Sequence, residues 1–136
     1  MTLKVAVAGL GTIGFPVAVA LNEGIPGLAL TAVSSGREER AAARLGDAGI
    51  PVPVLANKAL AEVADIVVEC VPKAAFREIA EAALGAGRLL VTVSGAAVLE
   101  AMDLVDLAEK TGGRILLVTG ALLGLDAVRA AALGHI

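Results

Sequence analysis

The stretch Gly9-Leu10-Gly11-Thr12-Ile13-Gly14 constrains this chain more than any other, because it directly follows the apolar run Lys4 to Ala8 and opens a segment of helical period. Glycines at the first, third and sixth places of a strand-to-helix turn have separate physical duties. The first permits a tight turn, the second lets backbone approach a pyrophosphate, and the third lets the helix lie close on the strand. Free N–H groups at the helix start, assisted by its dipole, then face the phosphates. Gly9, Gly11, Thr12, Ile13 and Gly14 are therefore expected to hold a dinucleotide. Pro16 comes early in this helix and would bend it if it lay beyond the first turn.

Short apolar runs alternate along the chain with longer stretches of helical period, the pattern of a parallel sheet covered on both faces by helices. Lys4–Ala8, Leu28–Val33, Asp65–Cys70, Arg88–Val93 and Arg114–Thr119 read as strands whose continuous Val, Ile, Leu and Ala content fits burial on both faces. Pro51–Leu55 reads as a weaker strand near an edge, where proline is tolerated. Ile13, Val17 and Leu21 form one helical stripe, and Phe76, Ile79, Ala80, Ala83 and Leu84 another. Further helices are expected over Arg37–Leu45, Asn57–Val63, Val98–Lys110 and Leu125–Leu133, with Gly46, Gly85 and Gly112 as stops. The expected class is α/β, a doubly wound parallel sheet of the Rossmann type, with one NAD(P)-binding domain over residues 1–136.

Composition removes several functions. A net charge of −3 with 11 scattered Lys and Arg residues offers no basic stripe for nucleic acid. One cysteine and one histidine, Cys70 and His135, cannot build a disulfide framework or a multi-cysteine zinc site, so no metal is expected and a reducing cytoplasm fits. The run Val5–Leu21 superficially imitates a secretory signal, but three glycines and a proline interrupt it, which a phosphate-binding turn explains and a signal sequence does not require. No membrane span is expected.

After the second strand, an acidic side chain would select NAD by bonding the adenosine ribose. The chain instead reads Val33-Ser34-Ser35-Gly36-Arg37, so Ser34, Ser35 and Arg37 offer hydroxyls and a guanidinium where a carboxylate would repel a 2′-phosphate. NADP, or both cofactors, is favoured over strict NAD; the same residues also suit a loop in which Ser35 caps a helix and Arg37 stands in solvent. Cys70-Val71-Pro72 and Ser94-Gly95-Ala96 follow strands, where ligands bind in open α/β sheets, and Cys70, Val71, Pro72, Ser94 and Gly95 are candidates to flank the nicotinamide ribose. No fixed base is visible to activate Cys70 as a nucleophile, and His135 stands at the end of the chain, so no catalytic residue is assigned.

Val68-Glu69-Cys70, Val93-Ser94-Gly95-Ala96 and above all Thr119-Gly120-Ala121-Leu122-Leu123-Gly124-Leu125-Asp126-Ala127 resemble L-aspartate dehydrogenases over nearly the whole chain. The last motif is similar to that family's Ser-Gly-Ala-Ile-Gly-Gly-Leu-Asp, with Thr119 for serine and Leu123 for a glycine. The resemblance implies a partial molecule whose parent oxidises L-aspartate to iminoaspartate with NAD or NADP, with acid-base and most substrate-binding groups in a second α+β domain. It also implies that Gly120 and Ala121 lie near the substrate. Self-association into a homo-oligomer is expected from apolar surface around Ala121–Leu125. Two alternatives remain open: a non-catalytic nucleotide-binding module, and another two-domain oxidoreductase of the dihydrodipicolinate-reductase or sugar-dehydrogenase kind. The sugar enzymes carry a Glu-Lys-Pro tripeptide that this chain lacks.

Overall fold

Residues 1–118 are described by the computed structural model, and the five strands among them pair in parallel in the order β2-β1-β3-β4-β5. They are β1 (Leu3–Ala8), β2 (Leu28–Ser34), β3 (Ile66–Glu69), β4 (Leu89–Thr92) and β5 (Arg114–Leu117). The chain winds outward from β1 to β2, then crosses to the other side of β1 for β3, so the winding reverses between β1 and β3. Ala8 of β1 pairs with Ser34 on one side and Glu69 on the other, and Glu69 pairs in turn with Thr92 of β4. The carboxyl ends of these four strands therefore lie level at the reversal.

Strand periodicity divides the core. Val5 and Val7 face one layer with Val33, Ala18, Leu21, Ala41 and Leu45, whereas Ala6 and Ala8 face the other with Val67, Leu90, Ile79 and Leu84. Helices α1 (Gly14–Gly24) and α2 (Glu38–Asp47) cover the first face. Helices α3 (Leu60–Val63), α4 (Lys73–Gly85) and α6 (Asp103–Thr111) cover the second, and α5 (Gly95–Leu99) contributes Ala97 to it.

The expected stripe on α4 is buried in full. On α1 the buried positions are Gly14, Ala18 and Leu21, and Ile13 is 52% exposed rather than packed on the sheet. The glycine decides this rotation. A Cβ at Gly14 would collide with the Gly9 carbonyl oxygen, so the bare face of Gly14 is the one turned inward. Pro16 is the third residue of α1, inside the first turn, where no N–H partner is lost and proline is tolerated.

Four other expectations change. Asn57–Val63 is a 3₁₀ turn, Asn57–Ala59, followed by the short α3. Val98–Lys110 is broken at residues 100–102 between α5 and α6, with Ala101 N–H bonding Val98 O and Leu104 N–H bonding Ala101 O. Ala97, Ala101, Leu104 and Ala108 are nonetheless all buried at helical spacing, which is why periodicity alone shows no break. Pro51–Leu55 forms no strand, because two prolines lack the N–H a ladder needs; a single parallel bridge joins Val54 to Val33. Helix α2 runs past Gly46 to Asp47, while α4 ends at Gly85 and Gly112, at φ +79°, ends α6. Thr119, Ala121 and the helix expected over Leu125–Leu133 lie outside the described residues. Among the described residues no helix is long and apolar enough to cross a membrane.

Ile79, 1% exposed at the centre of the second layer, sets a test of this packing. Ile79→Ala is expected to lower unfolding free energy by about 2–5 kcal/mol in urea titrations, by loss of burial and creation of a cavity.

Candidate dinucleotide site

Three backbone segments meet at the reversal of the sheet. Gly9 adopts φ +90°, and a Cβ there would stand 2.5 Å from the Cys70 carbonyl oxygen, while its N–H bonds Ser34 O at 2.9 Å. Gly14 abuts Gly9 as described above. Gly11 differs from both: among the described residues a Cβ on it would meet nothing within 4 Å. The outer glycines thus serve the fold, and the middle one faces open space beside the first turn of α1. That space is a cleft of about 900 Å³ running from the β2 loop past Gly11 to Cys70-Val71-Pro72.

The β2 end of the cleft is cationic. Ser35, Arg37, Arg40 and Arg44 line it, and among the described residues no Asp or Glu does. Arg44 stacks over the Phe15 ring at 3.7 Å and donates to Leu10 O at 2.9 Å, so it braces the glycine loop from α2. Arg37 and Arg40 form no ion pair among the described residues. Ser35 Oγ accepts the Arg37 N–H at 3.1 Å, fixing the entry to α2.

The opposite end is built on a buried carboxylate. Glu69, the last residue of β3, is fully buried; its Oε1 accepts Val71 N–H at 2.9 Å and the Ser94 hydroxyl at 3.1 Å, and its Oε2 accepts the Thr92 hydroxyl. Thr92 Oγ1 in turn accepts Ser94 N–H at 2.9 Å. The loops after β3 and β4 are therefore joined through one side chain. Burial, and secondarily the nearby Glu69 charge, push the Cys70 thiol from its ordinary 9.0 up to about 11. A thiol held protonated in this way is a poor nucleophile at neutral pH.

Of the residues expected from sequence, Gly9, Gly11, Thr12, Ser35, Arg37, Cys70, Val71 and Pro72 share the cleft lining. Gly14 is buried behind it, and Ile13 is exposed but does not line it. Ser34 is a correction of placement: it is fully buried, with its hydroxyl unpartnered, because its β-strand position turns the side chain into the sheet layer. Ser94 and Gly95 are half-buried and do not line the cleft, and Ser94 bonds Glu69. Arg40, Arg44, Thr92 and Glu69 were not anticipated. Arginines spaced three and four residues apart after Arg37, and one acid ending an otherwise apolar strand, are the signals that carried them.

A family model described as "Homoserine dehydrogenase, NAD binding domain" matches residues 9–118. The chain belongs to that family. It is 48% identical over 134 residues to an L-aspartate dehydrogenase of Bradyrhizobium diazoefficiens, covering 98% of this chain and 48% of the relative. It is 46% identical to L-aspartate dehydrogenase 3 of Bordetella bronchiseptica, covering 98% and 50%. The chain thus spans about half the length of these curated relatives. Among solved structures, biliverdin reductase from Synechocystis, in complex with biliverdin and NADP+, superposes with a TM-score of 0.73 at 23% identity, over 98% of this chain and 43% of that one, a likeness of fold. The open cradle at Gly11, bounded by two glycines that a Cβ would block, fits the dinucleotide of an NAD-binding domain.

Two outcomes test this geometry. Gly11→Val is expected to fold with wild-type stability yet lose dinucleotide binding by calorimetry, whereas Gly14→Ala is expected to cost at least about 2 kcal/mol of stability through overpacking. Alkylation of Cys70 by iodoacetamide at pH 8 is expected to run about a hundredfold slower in the folded than in the unfolded chain, and to rise with pH toward about 11.

Proposed function

We propose that the cleft binds NADP in preference to NAD, and that the whole protein uses it to oxidise L-aspartate to iminoaspartate. The observation that carries the binding reading is the open space at Gly11 between a cationic β2 end and the Cys70-Val71-Pro72 wall. The pyrophosphate would lie against the backbone of Gly11 and Thr12, where the start of α1 supplies N–H groups and dipole. Ser35, Arg37 and Arg40 would hold the adenosine end, with guanidinium groups suited to a 2′-phosphate and, among the described residues, no carboxylate in the lining to repel it. Val71 and Pro72 would border the nicotinamide half. The bound cofactor supplies the hydride acceptor, and the protein's own residues supply orientation. The aspartate reading is supported by the two L-aspartate dehydrogenase relatives, and the substrate is a small molecule on that reading. A homo-oligomer is supported by exposed apolar Leu99, Met102, Leu116 and Leu117.

Arg37→Ala and Arg40→Ala are each expected to weaken NADP+ binding by about 1–3 kcal/mol while leaving NAD+ nearly unchanged. Equal losses for the two cofactors in calorimetry would refute the phosphate contact. For the reaction, spectrophotometric NADPH formation by the whole protein is expected with L-aspartate and absent with L-homoserine or inositol. Turnover of either of the latter in place of L-aspartate would overturn the substrate reading.

A further inference from the structure

Glu69 is the one charged side chain that the fold buries completely among the described residues, and the binding reading above makes no use of it. It immediately precedes the Cys70-Val71-Pro72 wall, on a strand bordering the reversal of the sheet. Its three partners, Val71 N–H and the Thr92 and Ser94 hydroxyls, are all neutral donors. No Lys or Arg forms an ion pair with it among the described residues.

Joining two loops does not require a charge. A glutamine could keep the Val71 N–H and Ser94 hydroxyl bonds on its amide oxygen and donate an amide N–H to Thr92 Oγ1, and removing an ionised carboxylate from water is far more costly than removing an amide. A buried carboxylate held only by neutral groups also projects its field with little screening. The two ends of the cleft consequently differ in sign, with Arg37 and Arg40 at the β2 end and Glu69 behind the β3 end. A dinucleotide crossing the reversal with its adenosine toward Arg37 brings its nicotinamide half to the β3 end. Nicotinamide carries a positive charge when oxidised and none when reduced.

We propose that Glu69 is an electrostatic positioning residue whose carboxylate favours the oxidised, cationic nicotinamide over the reduced one. The inference rests on the cofactor reading above. It concerns a difference in binding between two charge states, so no bond is made or broken. By linkage, the same preference lowers the midpoint potential of the bound cofactor.

The test measures, by calorimetry, dissociation constants of NADP+, NADPH and 2′-phospho-ADP-ribose, which lacks nicotinamide, for wild type, Glu69→Gln and Glu69→Asp. In Glu69→Gln the ratio of the NADPH to the NADP+ constant is expected to fall about tenfold, which for a two-electron couple is about 30 mV in midpoint potential. The affinity for 2′-phospho-ADP-ribose should not change, and Glu69→Asp, which keeps the charge, should hold the ratio within about twofold of wild type. An unchanged ratio in Glu69→Gln, or an equal loss for all three ligands, would overturn the proposal in favour of a purely structural clamp. Should Glu69→Gln fail to fold, wild type alone decides: it must bind NADP+ at least as tightly as NADPH, and a tenfold preference for NADPH overturns the proposal. Failure of wild type to bind any of the three ligands would instead sink the cofactor reading beneath it.

Discussion

Three backbones approach one another at the reversal of the sheet with no side chain between them, and the remainder of the site is arranged around that contact. Gly9 can lie against the Cys70 carbonyl, and Gly14 against Gly9, only because neither carries a Cβ. This contact fixes the rotation of α1, the direction of its first turn, and the opening left at Gly11. The open space at Gly11 is thus a product of close packing on either side of it.

The layers beneath are graded to suit. On β1, Ala6 and Ala8 face α4 and its neighbours, and Val5 and Val7 face α1 and α2, so small side chains lie where Phe76, Ile79 and Leu84 need room. Arg44 reaches across from α2 to Leu10 and Phe15, coupling the second helix of the winding to the loop made by the first. Glu69 performs the matching connection between the loops after β3 and β4. Both ends of the cleft are consequently fixed by side chains that belong to neighbouring elements.

Most of the fold was legible in sequence because continuous apolar runs and glycine spacing are local signals. All five strands and the α4 stripe follow from them. What escaped was set by contacts that periodicity does not encode. Ile13 fits a helical stripe, yet Gly14 dictates which side of α1 turns inward. The break between α5 and α6 preserves the buried spacing, so no pattern in Ala97–Ala108 reveals it. Ser34 reads as a polar loop residue, but pairing of Ala8 with Ser34 extends β2 to include it and buries its hydroxyl. Glu69 looked like part of a motif; its chemical setting depends on Thr92 and Ser94, more than twenty residues away.

The strip from Pro51 to Leu55 also determines how the sheet ends. It lies along the outer side of β2, taking the Val33 N–H on the Pro53 carbonyl and giving the Leu55 N–H to the Val33 carbonyl. Because its two prolines cannot donate in turn, it seals that margin without offering a new row of donors. At the opposite margin β5 is laddered to β4, and its Leu116 and Leu117 are exposed among the described residues. Among the described residues the two margins are therefore unequal as templates: β5 has no strand on its outer side, whereas β2 is bordered by a proline-bearing selvedge that offers a further strand few donors.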